Sequence, residues 1–151
     1  MWAVKVTGLP APKGSMKCIG QRGKVRHALI EDAGPSQKEW RARVQLAGEH
    51  LLPSIGETLD GPVSVEVTFT LPRPASARGR VWPHLKANGK TAGGDLDKLV
   101  RLILDAFTDA RVWTDDSRVV EITARKAYPD TPAPDLIAQG GALIRIWRTE
   151  T

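Results

Sequence analysis

Asp95 and Asp97 follow Gly93-Gly94, and a second acidic pair, Asp115-Asp116, lies one short stretch further on. Carboxylates about 4 Å apart repel by about 4 kcal/mol at an effective dielectric of 20, so a converging set demands a cation. Oxygen donors with few other ligands suit Mg²⁺ or Mn²⁺, which keep several waters and accept phosphate oxygens. Asp95 and Asp97 each have a plainer explanation, as the N-cap and a first-turn acid of a helix. That explanation leaves Asp115-Asp116 unaccounted for, in a chain whose residues 67–94 contain no acid at all. Arg101 falls four residues after Asp97 and on the same helical face, placed either to pair with it or to aim a guanidinium at a phosphate.

The surrounding charge fits a polyanion. The 151 residues carry 22 Lys+Arg and 17 Asp+Glu, unevenly distributed. Residues 1–48 hold nine bases and three acids, 49–66 four acids and no base, 67–94 five bases and no acid, and 95–116 six acids and three bases. Two basic stretches around a compact acidic one suggest a surface that attracts phosphates yet keeps a pocket of carboxylates. A length of 151 residues predicts one domain, 1–151, able to bury a core without staples. The single cysteine, Cys18, permits neither an internal disulfide nor a Cys/His zinc set. There is no apolar run of membrane-spanning length and no signal-peptide core, so the expectation is a cytoplasmic protein, away from membranes.

The elements that must position these residues follow from periodicity. Ala3–Thr7 alternates as a short strand, and Pro12–Arg26, with three glycines and no period, reads as a basic loop. Ser36 is placed to cap a helix in which Trp40, Val44, Ala47 and Leu51 recur at helical spacing up to Pro53. Val63–Leu71 is a period-2 strand with apolar odd positions, stopped by Pro72 and Pro74. Residues 73–94 read as a long exposed loop or paired ribbon, of a length at which function is expected. Leu96, Leu99, Val100, Ile103, Leu104 and Phe107 define an amphipathic helix, the strongest pattern in the chain. A turn at Asp115-Asp116-Ser117, a strand through Val120, Ile122 and Ala124, and a last strand Ala142–Trp147 complete an α+β domain: a mixed sheet of about four strands packed with helices. Five tryptophans are many for one small domain, so Trp113 and Trp147 need not both be core, although core packing is the plainer reading of any one of them and none is assigned to an interface.

Other motifs fail on their own terms. Asn88-Gly89-Lys90-Thr91 ends like a phosphate-binding loop, but the first glycine of that pattern falls on His84. Asp95-Leu96-Asp97 lacks the glycine and terminal Glu of a calcium loop. His27, His50 and His84 lie too far apart in sequence to show a metal or triad spacing.

The run Gly94-Asp95-Leu96-Asp97-Lys98-Leu99-Val100-Arg101-Leu102-Ile103-Leu104-Asp105-Ala106, followed by Trp113-Thr114-Asp115-Asp116-Ser117-Arg118-Val119-Val120-Glu121 and Lys126-Ala127-Tyr128, resembles the RusA family of Holliday junction resolvases. The similarity is strongest over residues 84–128, and Gly8–Gly14 resembles that family's first strand and basic turn. The resemblance implies a homodimeric, Mg²⁺-dependent endonuclease (Mn²⁺ as the alternative ion) that cuts branched DNA in a bacterial or phage-infected cell. It implies Asp95, Asp97 and Asp116 as metal ligands, with Arg101 beside them in catalysis. Arg101 stands where the family commonly has lysine, Lys98 where it has asparagine, and Gly94 where proline is frequent. The DNA-binding candidates are Lys13, Lys17, Arg22, Lys24, Arg26, Arg73, Arg78, Arg80, Lys86, Lys90 and Lys98. The rival reading is a basic DNA-binding module without catalysis, whose acids hold a structural cation.

Overall fold

In the computed structural model the strongest pattern in the sequence forms an α-helix over Leu96–Asp109, with Leu99, Leu102, Ile103, Ala106 and Phe107 on its buried face. Burying each of its larger apolar side chains contributes about 1.5–3 kcal/mol, enough to hold a helix of this length that would be marginal alone. The structure describes residues 1–14, 16–18, 29–31, 35–84, 86–87, 90–91 and 93–150. In chain order the elements are β1 (Trp2–Thr7), β2 (Met16–Cys18), β3 (Leu29–Glu31), α1 (Pro35–Ile55), β4 (Val63–Thr70), β5 (Lys86–Ala87), β6 (Lys90–Thr91), α2 (Leu96–Asp109), β7 (Val119–Ala127) and β8 (Gly141–Arg148).

The main sheet runs β1-β8-β4-β7, with β1–β8 and β8–β4 antiparallel and β4–β7 parallel. The mixed α+β architecture expected from the sequence is therefore the one found. Register puts Val4, Ile144, Val67 and Ala124 in one row and Val6, Ala142, Phe69 and Lys126 in the next. This face packs on α1 and α2, so the apolar core lies between sheet and helices. The two helices approach closely at Gly48, where an added Cβ would stand 2.9 Å from that of Ala110.

Three expectations are corrected. The stretch 12–26 is not simply a loop: β2, within it, pairs antiparallel with β3, a pairing too short to leave a period in the sequence. Ser36 is not the cap of α1, because the helix already starts at Pro35, whose fixed φ suits a first helical position. Pro53 does not end it either; the helix runs on to Ile55, since proline removes a single backbone donor while the buried Leu51 and Ile55 hold the last turns against the core. β4 keeps its apolar odd face, but Ser64, Thr68 and Thr70 on the other face are buried too. The connection between β7 and β8 covers part of that face: the Ile137 N–H donates to Thr70 Oγ1 at 2.9 Å, and Asp135 joins Glu66 in clamping Arg145. Within 73–94, β5 and β6 form the paired ribbon.

Candidate functional site

Gly93 and Gly94 deliver the chain to the start of α2, and both must be glycine. Their φ values are +70° and +95°, and an added Cβ would meet Leu71 at 2.4 Å and Pro12 at 2.6 Å. Proline, with φ near −65°, cannot replace Gly94 in this backbone. Asp95 then occupies the N-cap position, but its side chain makes no capping bond. Its backbone carbonyl accepts from Leu99 N at 3.0 Å, so helix initiation does not use the carboxylate. Asp97 is exposed in the first turn. Arg101 is exposed one turn on, and the ion pair with Asp97 that this spacing permits is not among those formed by the described residues.

Lys126 belongs to this site; it is part of the Lys126-Ala127-Tyr128 run that carries the resemblance, but no site role was assigned to it from sequence. It sits at the end of β7 on the helix-facing side, and its ammonium donates to the Gly94 carbonyl at 3.0 Å. Burial lowers its pKa, and the neighbouring Asp95 carboxylate opposes that shift. The signal in the sequence is the alternation through Val120, Ile122 and Ala124, which puts Lys126 on the same face, where a charge requires a partner.

The second acidic pair divides its work. Asp115 accepts from Ser117 N at 2.9 Å, capping the 3₁₀ turn Asp116–Arg118, and hydrogen bonding from Ser117 holds its carboxyl below the usual value. Asp116 remains exposed. The turn is anchored by Trp113, fully buried against Phe107 with its indole N–H donating to Thr108 Oγ1 at 2.9 Å, and by Asp60, which accepts from Thr114 and Arg118. Trp113 is therefore core and unavailable to an interface; Trp147 is half-buried.

Asp116 follows the C-terminal end of α2, whereas Asp95 and Asp97 are at its start, and 14 residues at about 1.5 Å each separate the two ends by about 20 Å. β7 runs back over the same span, from Val119 beside the turn to Lys126 beside Gly94. One chain by itself thus brings Asp95, Asp97 and Lys126 together but not Asp116. Among the described residues no group of three His, Cys, Asp or Glu is close enough to hold a metal ion.

The basic candidates also separate. Lys13 pairs with Asp105 of α2 at 2.6 Å, and its backbone N–H donates to Lys98 O. Arg73 is held by Asp130 at 2.7 Å, by the carbonyls of Ala77 and Arg80, and by the Tyr128 ring 4.2 Å beneath it. Arg78 and Arg80 are exposed and line an open cleft with Arg73, Val81, Asp130 and Thr131. Lys98 is half-buried on α2. Lys17, Lys86 and Lys90 lie in β2, β5 and β6, and their side chains, like the whole of Arg22, Lys24 and Arg26, are outside the described residues. No described helix is long and apolar enough to cross a membrane.

Comparison with known proteins adds a family. The family described as Endodeoxyribonuclease RusA matches residues 17–135. The chain is also similar to an uncharacterized protein, YqaN, of Bacillus subtilis (strain 168), with 28% identity over 122 residues, covering 77% of this chain and 83% of that protein.

Proposed function

The chain belongs to the RusA endodeoxyribonuclease family, and from that premise we propose that it is a Mg²⁺-dependent endonuclease that resolves four-way (Holliday) junctions and related branched DNA by paired symmetric nicks, acting as a homodimer. The observation that carries this reading is the disposition of the three aspartates. Asp95 and Asp97 stand exposed at the start of α2, and Asp95 makes no side-chain cap bond. Two carboxylates as the donor set fit Mg²⁺, which binds through one or two carboxylates and completes its shell with water and phosphate oxygens. Asp116 joins them only from a second copy.

The edge of the sheet supplies a route. β7 is an edge strand, and its Val120 and Ile122 are 60% and 43% exposed. Antiparallel pairing of two β7 edges about a two-fold axis near Ile122 sets Asp116 of one copy opposite Tyr128 of the other, next to Lys126 and hence to Asp95. Two such composite sites, related by the axis, give two symmetric nicks.

When bound, Mg²⁺ supplies Lewis-acid stabilisation of the phosphoryl oxygens and acidifies the attacking water. Asp95, Asp97 and Asp116 would hold it. Lys126 fixes the Gly94 carbonyl and so the approach to Asp95. The Arg101 guanidinium steadies the developing charge on the phosphoryl group, and Arg78 and Arg80 neutralise phosphates of the arms.

The test is nicking of a synthetic four-way junction in Mg²⁺, with binding followed in Ca²⁺. Mg²⁺-dependent nicking supports the reading, and binding without any cleavage supports the non-catalytic module. Mixing Asp95→Asn protein with Asp116→Asn protein tests the composite site. Shared sites leave one intact centre per mixed dimer and restore nicking; centres built within one chain leave every dimer inactive.

A further inference from the structure

We propose that Trp82 is a stacking platform for an unpaired base of the DNA, a contact that favours branch points over continuous duplex. The inference rests on the reading that the chain acts on branched DNA. Of the five tryptophans, Trp40 and Trp113 are buried, Trp147 is half-buried, and Trp2 is half-buried with Arg148 stacked 5.2 Å from its ring. Trp82 alone is exposed, at 43%, and it follows Val81, which is 51% exposed. Burial in the core would lower the free energy of so large an apolar ring, so its exposure calls for an explanation.

The backbone beneath it is fastened at successive carbonyls. Arg73 donates to the carbonyls of Ala77 and Arg80, Thr131 Oγ1 donates to that of Val81 at 2.8 Å, and the His84 N–H donates to that of Trp82 at 2.9 Å. Arg73 is in turn fixed by Asp130 and the Tyr128 ring. The turn is thus tied to the connection after β7, and the indole is presented from a fixed base. Preorganisation of this kind reduces the ordering cost of a contact.

Its surroundings select nucleic acid over a protein partner. Arg78 and Arg80, four and two residues before it, are exposed and line a cleft with its neighbour Val81, residues 67–94 contain no acid, and Asp130 of the same cleft is paired with Arg73. An aromatic ring among backbone-neutralising cations is the arrangement that holds single-stranded nucleic acid, where any base supplies a stacking face. Its place fits as well: Tyr128, under Arg73, is two residues from Lys126, which bonds Gly94 beside Asp95. The indole therefore stands at the same end of the sheet as the carboxylates.

The experiment compares wild type, Trp82→Ala and Trp82→Phe in Ca²⁺ on a four-way junction, a single-stranded oligonucleotide and a fully paired duplex, with thermal unfolding as a control. Stacking of one base corresponds to about 5- to 150-fold in affinity. Trp82→Ala is expected to weaken junction and single-strand binding by that factor and to leave duplex binding and melting unchanged, with Trp82→Phe recovering most of the loss. Equal weakening on all three DNAs, or no change on any, overturns the proposal. If wild type neither prefers nor nicks junctions, the function proposed above fails, while single-strand binding by Trp82→Ala still decides the stacking role. If wild type nicks junctions and Trp82→Ala binds every DNA as wild type does, the stacking role alone fails.

Discussion

Replacing Arg78 and Arg80 together by alanine separates the cations open to DNA from those the fold already employs. Both are exposed on the cleft beside the 73–82 turn, whereas Arg73, on the same segment, is held by Asp130, two carbonyls and Tyr128. Each phosphate contact contributes about −0.9 to the slope of log K against log[salt], so losing two flattens the slope by about 1.8. Between 50 and 200 mM salt that difference amounts to about a twelvefold smaller fall in affinity. Arg73→Ala is expected to leave the slope unchanged but to cost about 1–3 kcal/mol in lost hydrogen bonds and ring contact. In a domain of this size that lowers Tm by about 2–10 °C. The assay is fluorescence anisotropy of a labelled junction in Ca²⁺ across the salt range, with a melting curve for each variant. An unchanged slope in Arg78→Ala/Arg80→Ala, or an equal flattening in Arg73→Ala, refutes the division.

Asp95→Asn, Asp97→Asn and Asp116→Asn are expected to abolish junction cleavage with binding in Ca²⁺ nearly intact, while Asp115→Asn, whose carboxylate caps a turn, is milder. In single-turnover rates at saturating DNA, Arg101→Ala slows cleavage strongly and Arg101→Lys little; equal rates for Ala and wild type would mean that the guanidinium stays away from the phosphate. Gly94→Pro is expected to destabilise the fold, because φ +95° and the nearness of Pro12 exclude the ring, and a melting curve matching wild type would contradict this. Asp60, Asp130 and Asp135 have carboxyls held below the ordinary value by hydrogen bonds from Thr114, Arg73 and Arg145, respectively, so their stabilising contribution is complete above about pH 4 and lost as pH falls through the lowered values. Acid titration of Asp135→Asn should accordingly show less loss of stability below pH 4 than wild type.

Sequence and structure agree where the pattern is local. Leu96–Phe107 predicts α2 because its spacing alone defines a buried face, and the strands around Val65 and Ile144 are read from alternation. What escapes is set by partners distant in the chain. Nothing near Lys13 announces Asp105, 92 residues away, and nothing near Arg73 announces Asp130. The same limit hides the partner of Lys126, the Gly94 carbonyl 32 residues earlier. Asp95, Asp97 and Asp116 are marked as chemical residues by their types and by the family resemblance, but the length of α2 holds them apart within one chain. Ser36 as a cap fails because Pro35 already supplies a helical φ, a competition that residue preferences alone do not rank.

Resolution by a two-fold dimer is tested by cleavage of a cruciform extruded on a supercoiled plasmid. Sedimentation mass and the product distribution in Mg²⁺ are read together, with DNA in excess so that each plasmid carries at most one enzyme. The expected result is a dimer that converts supercoiled plasmid to linear product within one binding event, with little cutting of a plasmid without the cruciform. A monomer that releases only singly nicked circles, or cleavage of both plasmids at equal rates, would contradict it.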